Sequence, residues 1–288
     1  MSDNSGAENR AAKSLLRGTI NRRCSRSGSD YFLNHEAAQR LVARLDLVRI
    51  SPHLVVSSGM GKNDLPSRYK GSTQFVHIDF SEMRLAAQPR RGRLAEWMGK
   101  AQKRLCGDLS ALPLKTGVAD MVFSNLDLPF FRECGEVALV LSEAFRVLKP
   151  GGLFIFSAFG PDTLQAVAPR PENVIFRPAS HLDMHDLGDM LVERGFGDPV
   201  MEVENLVVSY ADPVRLLNDL KVQGSCLFAA PDRKGLGGKK KWLRQIGVAS
   251  NETPSPGLDV KVEMVFGHAW KSAERLSPKG RRVIDIKS

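Results

Sequence analysis

The chain has 288 residues, of which 42% are hydrophobic and 25% charged, the composition of an ordinary globular protein with a sizeable core. No stretch reaches the roughly 20 apolar residues of a membrane span, and the polar N-terminus carries no apolar signal segment. We therefore expect a cytoplasmic protein. The four cysteines are far apart and form no CxxC pair, which argues against a zinc site or a disulfide framework.

The net charge is +9, and basic residues cluster in four runs, at 22–26, 89–93, 239–241 and 279–282. Solvated loops explain most such runs, but a positive field also attracts acidic partners over long range. No nucleic-acid recognition motif accompanies the charge, and an acidic protein partner fits it equally well.

Residues 1–27 are polar and predict a mobile tail, followed by a single domain over 28–288. Leu33, Ala37, Leu41 and Leu45 recur every four positions and predict a helix. Short apolar runs then predict strands at 53–58, 73–80, 103–108, 119–125 and 153–159, and the stretch 135–149 predicts an amphipathic helix. This alternation indicates an α/β fold with a doubly wound parallel sheet.

The last third is less regular. It predicts helices at 183–196 and 212–224 and strands at 198–210 and 261–271. About 50 residues separate the two late strands, which indicates a hairpin-like sheet edge with a helical insertion before the last strand. The domain thus divides into a core of about 52–160 and a substrate-side and sheet-edge segment of about 161–288.

A glycine turn follows the first strand in "VVSSGMGKND", where Gly59 and Gly61 precede a helical segment. Two glycines alone are weak support for a nucleotide-type cofactor. Asp79, however, closes the next strand about 20 residues later, where a carboxylate can accept hydrogen bonds from ribose hydroxyls. Ligands bind at the carboxyl ends of the strands in such sheets, so a cofactor crevice is expected there.

Two further segments reach the same crevice. Asp108 follows the third strand and can accept a hydrogen bond from a purine amine, while Leu109 packs on the ring. Asn125, in "SNLDL", closes the fourth strand. Their position at successive strand ends strengthens the cofactor hypothesis.

The ordered set "GDLSALPLKTGVADMVFSNLDL" and "LSEAFRVLKPGGLFIFSAFGPDTL" resembles the later motifs of class I S-adenosylmethionine-dependent methyltransferases. The resemblance implies a Rossmann-like seven-stranded sheet and S-adenosylmethionine as cofactor, with no metal. It places the cofactor-binding side chains at Ser57, Gly59, Gly61, Asp79, Phe80, Asp108, Leu109 and Asn125.

Longer segments, including "DMHDLGDMLVERGFGDPVMEVE" and "VFGHAWK", resemble the malonyl-[acyl-carrier-protein] O-methyltransferases of biotin synthesis. This resemblance implies methylation of the free carboxylate of a malonyl group on acyl carrier protein, an acidic partner. A cation must then hold that carboxylate; Arg177 is the first candidate and Lys149 the second. A monomer is expected.

The chain departs from the family pattern at two places. Ser57 stands at the usual acidic position and Asn63 at the third glycine, and losing a buried charged contact costs about 1.5–3 kcal/mol. Pro129 and Phe130 stand where the family has a histidine and an aromatic residue. Two alternatives therefore stay open: a methyltransferase of the same fold with another acceptor, such as a quinone precursor, and a non-catalytic or hydroxylase-like assembly factor. A mitochondrial arginine hydroxylase that assists complex I assembly shares the "DTL" and "DLG" features.

The segment "HLDMHD" contains His181, Asp183 and His185, which resemble the two-histidine, one-carboxylate set of non-haem iron oxygenases. Asp183 or Asp186 is better explained as the cap of the helix that follows. Asp162 is similarly predicted to cap a helix in "DTLQAV".

Overall fold

A seven-stranded mixed sheet organises the chain in the computed structural model. The structure describes residues 17–18, 21, 32–59, 65–69, 72–87, 102–128, 134–165, 181–211, 214–216, 219 and 258–272. The strands are β1 (Leu54–Ser58), β2 (Gln74–Asp79), β3 (Lys103–Cys106), β4 (Ala119–Asn125), β5 (Leu148–Phe159), β6 (Phe196–Tyr210) and β7 (Leu258–Lys271). The helices are α1 (Phe32–Arg44), α2 (Leu65–Arg68), α3 (Glu82–Ala87), α4 (Cys134–Val147) and α5 (Met184–Glu193), and a 3₁₀ turn spans Leu45–Leu47.

The strands lie in the order β3-β2-β1-β4-β5-β7-β6. The first five run parallel, whereas β7 is antiparallel to both β5 and β6. Strand order reverses between β1 and β4, the position at which an open α/β sheet forms a ligand crevice. The α/β class, the parallel core and the antiparallel sheet edge are confirmed.

The central parallel strands β1, β4 and β5 are mostly buried because helices cover both faces of the sheet, whereas β3 at the edge is largely exposed. One face packs under α1 and contains Val55, Phe123 and Ile155. The other packs under α4 and α5 and contains Val122 and Phe154. Arg44 ties α1 to β6 through ion pairs with Glu202 and Glu204, at 2.7 and 2.6 Å.

Strand β5 begins earlier than predicted. Leu148 already pairs with Ala119, and the register then shifts before Met121 pairs with Leu153. Gly151 takes a positive φ of 77° in this irregular stretch. A Pro-Gly-Gly sequence therefore accompanies a bulged strand start here rather than a loop.

The N-terminal segment and the insertion before β7 lie only partly within the described residues. Residues 17, 18 and 21 of the N-terminal segment are helical, and the mobility of the first 27 residues stays a prediction. Positions 214–216 and 219 are helical, but most of the insertion before β7 lies outside the described residues. Among the helices described, none has the length and apolar character that crossing a membrane requires.

Candidate functional site at the carboxyl ends of the parallel strands

The glycine turn after β1 brings the main chain against the end of β4. Gly59 has a φ of +92°, and a Cβ built on it would lie 1.9 Å from the backbone oxygen of Asn125. Only a glycine fits this approach. The rest of the turn, with Gly61 and Asn63, lies outside the described residues.

Ser57, at the position the family gives to an acidic residue, is bonded inside the sheet. It is the register partner of His77 on β2, and its Oγ lies 3.1 Å from His77 Nδ1. Burial and the nearby Arg84 and Arg104 lower the pKa of His77 to about 3, so the imidazole is neutral. A neutral serine–histidine pair thus occupies this place, and cofactor contact by Ser57 stays a prediction.

Asp79 ends β2 in a fully buried position and belongs to an ion-pair triad. Arg84 Nε lies 3.2 Å from Asp79 Oδ2, and Arg84 Nη2 donates to Asp127 Oδ1 at 3.0 Å. All three side chains are almost without solvent exposure. The triad links α3, the last residue of β2 and Asp127, which lies two residues after the end of β4.

A local turn orients Asp79 further. The Ser81 backbone N–H donates to Asp79 Oδ1 at 2.8 Å. Ser81 Oγ accepts from the Arg84 backbone N–H at 3.2 Å, so Ser81 caps α3. Asp79 Oδ2 makes no hydrogen bond within the described residues.

Burial dominates the titration of both carboxyls. It raises the pKa of Asp79 to about 7, Asp127 adds to the rise, and Arg84 opposes it. Burial likewise raises the pKa of Asp127 against the opposing effect of Arg84. The guanidinium is therefore the largest influence that favours the ionised form of each, and the hydrogen bond from Ser81 to Asp79 and the Ser58 hydroxyl beside Asp127 act in the same direction.

The N-terminal segment reaches this edge of the sheet. The Arg17 guanidinium lies 4.6 Å from the centroid of the Phe80 ring, and Asn21 Oδ1 accepts from Ser81 Oγ at 2.5 Å. Phe80, a predicted cofactor contact, therefore stands beside Asp79 with a cation on its face.

Asp108 and Leu109 lie in the turn after β3. Asp108 Oδ1 accepts from the backbone N–H and the Oγ of Ser110, at 2.9 and 2.7 Å. Leu109 is buried in the apolar cluster under α4 and α5. The turn is shaped by Asp108 itself, and the purine contact of the pair stays a prediction.

The Asn125 side chain is used internally. Its Nδ2 donates to the Asn34 carbonyl at 2.8 Å, and its Oδ1 accepts from Ser157 Oγ at 2.9 Å. These bonds fasten α1 and β5 to the end of β4, whose next residue, Leu126, has a φ of 52°. A cofactor contact by Asn125 remains a prediction.

Lys149 does not lie in this region. It sits at the start of β5, and its Nζ donates to Asp120 Oδ1 at 2.7 Å, at the amino end of the sheet. The crevice lies at the opposite, carboxyl end, so Lys149 as the second candidate for the substrate cation is wrong. Arg177, the first candidate, lies outside the described residues.

The histidine-rich segment before α5 behaves as a helix start. The Asp183 carboxylate accepts from the His185 backbone N–H at 2.8 Å, which confirms Asp183 as the cap. His181 packs instead on Phe159, with ring centroids 5.7 Å apart, and burial lowers its pKa to about 4. Over the described ranges, no group of three His, Cys, Asp or Glu side chains could hold a metal ion.

The turn after β5 is anchored on β7. Thr163 Oγ1 donates to the Glu263 carbonyl at 2.9 Å, and Lys261 Nζ donates to Asp162 Oδ2 at 2.9 Å. Leu164 has a φ of 64°, so no helix starts directly after Asp162, and the Asp162 carboxylate pairs with a lysine of the neighbouring strand. The prediction of Asp162 as a helix cap is therefore wrong. This ion pair was not predicted from the sequence. Arg84 was not predicted as a site residue either, because its only sequence signal was a charged side chain next to Leu85 on a short helix.

Comparisons with known proteins agree with this geometry. A family model described as a methyltransferase domain matches residues 54–156. The malonyl-[acyl-carrier protein] O-methyltransferase of Gallionella capsiferriformans is 34% identical, over 94% of this chain and 95% of that protein. The protein of the same name from Laribacter hongkongensis is 35% identical, over 95% of both.

Solved structures share the fold at low identity. The YcgJ protein from Bacillus subtilis aligns with a TM-score of 0.55 at 12% identity, covering 81% of this chain and 97% of that one. A protein from Bacillus halodurans aligns with a TM-score of 0.52 at 15% identity, covering 81% of this chain and 99% of that one. The chain thus has the class I methyltransferase fold and belongs to the malonyl-[acyl-carrier protein] O-methyltransferase family.

Proposed function

We propose that this protein transfers a methyl group from S-adenosylmethionine to the free carboxylate of a malonyl group on acyl carrier protein, an early step in biotin synthesis. The observation that carries the proposal is near full-length similarity to relatives of that name, at 34% and 35% identity. The match extends beyond the parallel core to the late strands, whereas a shared fold alone does not specify function.

The described residues fit the proposed cofactor. Gly59 lets the chain turn directly against the end of β4, at the strand ends where the cofactor is proposed to bind. Asp79 Oδ2 pairs with Arg84 but makes no hydrogen bond within the described part of the chain, so this buried oxygen keeps capacity to accept from a ribose hydroxyl. Gly61, Phe80, Asp108 and Leu109 complete the proposed cofactor set, to which the Ser57 and Asn125 positions contribute.

The reaction requires alignment more than acid–base chemistry. When bound, the sulfonium of the cofactor supplies an activated methyl group. A malonyl carboxylate is already ionised at neutral pH, so the protein needs no general base to generate the nucleophile. Holding the two reactants in line can by itself supply much of the rate.

Two of the described histidines with a lowered pKa suit this scheme. His77 is bonded to Ser57, and burial lowers its pKa to about 3. His181 is neutral for the same reason and packs on an aromatic ring. Neither offers a base poised near neutral pH, which favours an anionic acceptor over a neutral amine or alcohol.

Arg177 is proposed to hold the acceptor carboxylate by a bidentate contact. The four basic runs are proposed to attract the carrier protein, since its acidic surface complements a chain of net charge +9. A cytoplasmic location and a monomeric state remain predictions.

A transfer assay tests the proposal. Malonyl-carrier protein and labelled S-adenosylmethionine are incubated with the enzyme, and intact-mass measurement follows the carrier protein. We expect the mass of one added methyl group on malonyl-carrier protein and none on the carrier protein that bears an acetyl group. Succinyl-carrier protein and a carrier protein bearing an acetyl group serve as acceptor controls.

The outcomes separate the alternatives. Label on a quinone precursor but not on malonyl-carrier protein would assign a different acceptor to the same chemistry. No transfer to any acceptor, with folded protein that also fails to bind the cofactor, would identify a non-catalytic family member.

A further inference from the structure

The buried cation Arg84 stands between two carboxylates at the edge of the proposed cofactor site. It faces Asp79 Oδ2 across 3.2 Å and donates to Asp127 Oδ1 at 3.0 Å. A buried ion pair seldom adds net stability compared with apolar residues of similar volume, because desolvation offsets the attraction. An arginine in this place therefore suggests a role beyond packing.

We propose that Arg84 is a positioning residue for the methyl donor: it keeps the buried Asp79 carboxylate ionised and aimed so that both ribose hydroxyls can donate to it. The inference rests on the proposed function, since it assigns a task at that same site. Arg84 acts through Asp79 and makes no contact with the reacting atoms.

The geometry supports an orienting role. Asp79 Oδ1 is held by the Ser81 N–H at 2.8 Å, while Oδ2 keeps acceptor capacity beside the guanidinium. Asp127 fixes the far end of the guanidinium and so limits its rotation. The Arg84 backbone is in turn tied to the Ser81 hydroxyl at the start of α3. The carboxylate is thus set in one orientation from two sides.

The charge balance supports the second half of the inference. A protonated carboxylic acid has a proton on one oxygen and accepts less well from two hydroxyls. Burial and Asp127 both favour that protonated form of Asp79, whereas Arg84, as the larger influence, and the hydrogen bond from the Ser81 N–H oppose it. The other titratable or charged groups of this neighbourhood are His77 on β2, Arg104 and Cys106 on β3, Glu82 on α3, and Arg17.

The test measures the dissociation constant of S-adenosylhomocysteine against pH by calorimetry. In the unaltered protein we expect tight binding at pH 8 that weakens as Asp79 takes up a proton. Removing the cation with Arg84→Met should weaken binding at pH 8 by at least about tenfold and shift the profile to higher pH. Arg84→Lys, which keeps the charge, should recover most of the affinity.

Arg84→Met leaves Asp127 buried without a partner and can fail to fold. The double variant Arg84→Met/Asp127→Leu removes both charges together, a change that buried ion pairs often tolerate. It should still show the shifted profile, because Asp79 keeps its burial and loses its cation. Asp79→Asn should bind weakly at every pH.

The outcomes distinguish this inference from the proposed function. If the unaltered protein binds no S-adenosylhomocysteine, the proposed function fails. If the unaltered protein binds but the folded double variant has the same affinity and the same pH profile, the role of Arg84 is overturned. A uniform weakening without a pH shift, or no recovery with lysine, also overturns it by showing a packing role only.

Discussion

Gly59→Ala is the sharpest test of the glycine turn. The residue has a φ of +92°, and the added Cβ would lie 1.9 Å from the Asn125 oxygen. The left-handed backbone costs about 1–2 kcal/mol for a residue with a Cβ. The added atom is also about 1.5 Å short of ordinary contact with a backbone group, so β1 and β4 must separate locally.

Overpacking of this kind adds about 1–3 kcal/mol, which gives a loss of about 2–5 kcal/mol in the free energy of unfolding. Gly117 is the matched control, because its φ is +67° and nothing lies within 4 Å of an added Cβ. Gly117→Ala should cost only the backbone term, about 1–2 kcal/mol. Denaturant unfolding of both variants gives the comparison, and calorimetry should show that Gly59→Ala also loses cofactor affinity. Equal stability losses in the two variants would refute the close approach between β1 and β4.

Three other predictions concern single side chains. Burial lowers the pKa of His77 to about 3. The neutral imidazole therefore contributes stability above the pKa that His77 has in the unfolded chain, and this contribution is lost as the pH falls. Between about pH 7.5 and pH 5 the free energy of unfolding falls by about 2 kcal/mol for this reason. The His77→Gln variant should therefore lose about 2 kcal/mol less of its free energy of unfolding than the unaltered protein over that pH interval, as measured by denaturant titration. Equal losses in the two proteins would contradict a neutral buried imidazole. Lys149→Met removes a half-exposed ion pair far from the crevice, so it should cost at most about 1 kcal/mol of stability and change the acceptor KM by less than about twofold. Arg177→Met should raise the same KM by about tenfold or more without weakening cofactor binding, and an unchanged KM would remove Arg177 from the site.

Local sequence patterns predicted most of the fold. The run at 119–125 coincides with β4, because near-continuous apolar residues suit a strand covered on both faces. The helix at 135–149 was predicted within two residues at each end, since the apolar stripe of α4 is long and regular. Pro150 and Gly151 misled the prediction of β5, because a bulge lets such residues accompany strand pairing.

The candidate site was less accessible to sequence reasoning. Asp79 was located because strand ends and a glycine turn fix its place. The ion pair that supports Asp79 was not predictable in this way. Arg84 and Asp127 are 43 residues apart in the sequence, and they meet only because β2 and β4 flank β1. The Ser57–His77 bond depends on the register of β1 and β2, which no local pattern specifies.

The most direct test of the account is a calorimetric titration of the folded protein with S-adenosylmethionine and with S-adenosylhomocysteine. We expect saturable binding of both ligands at a single site, weakened by Asp79→Asn and by Gly59→Ala. Absence of heat with either ligand at millimolar concentration would contradict it and leave a family member that retains the fold without the chemistry.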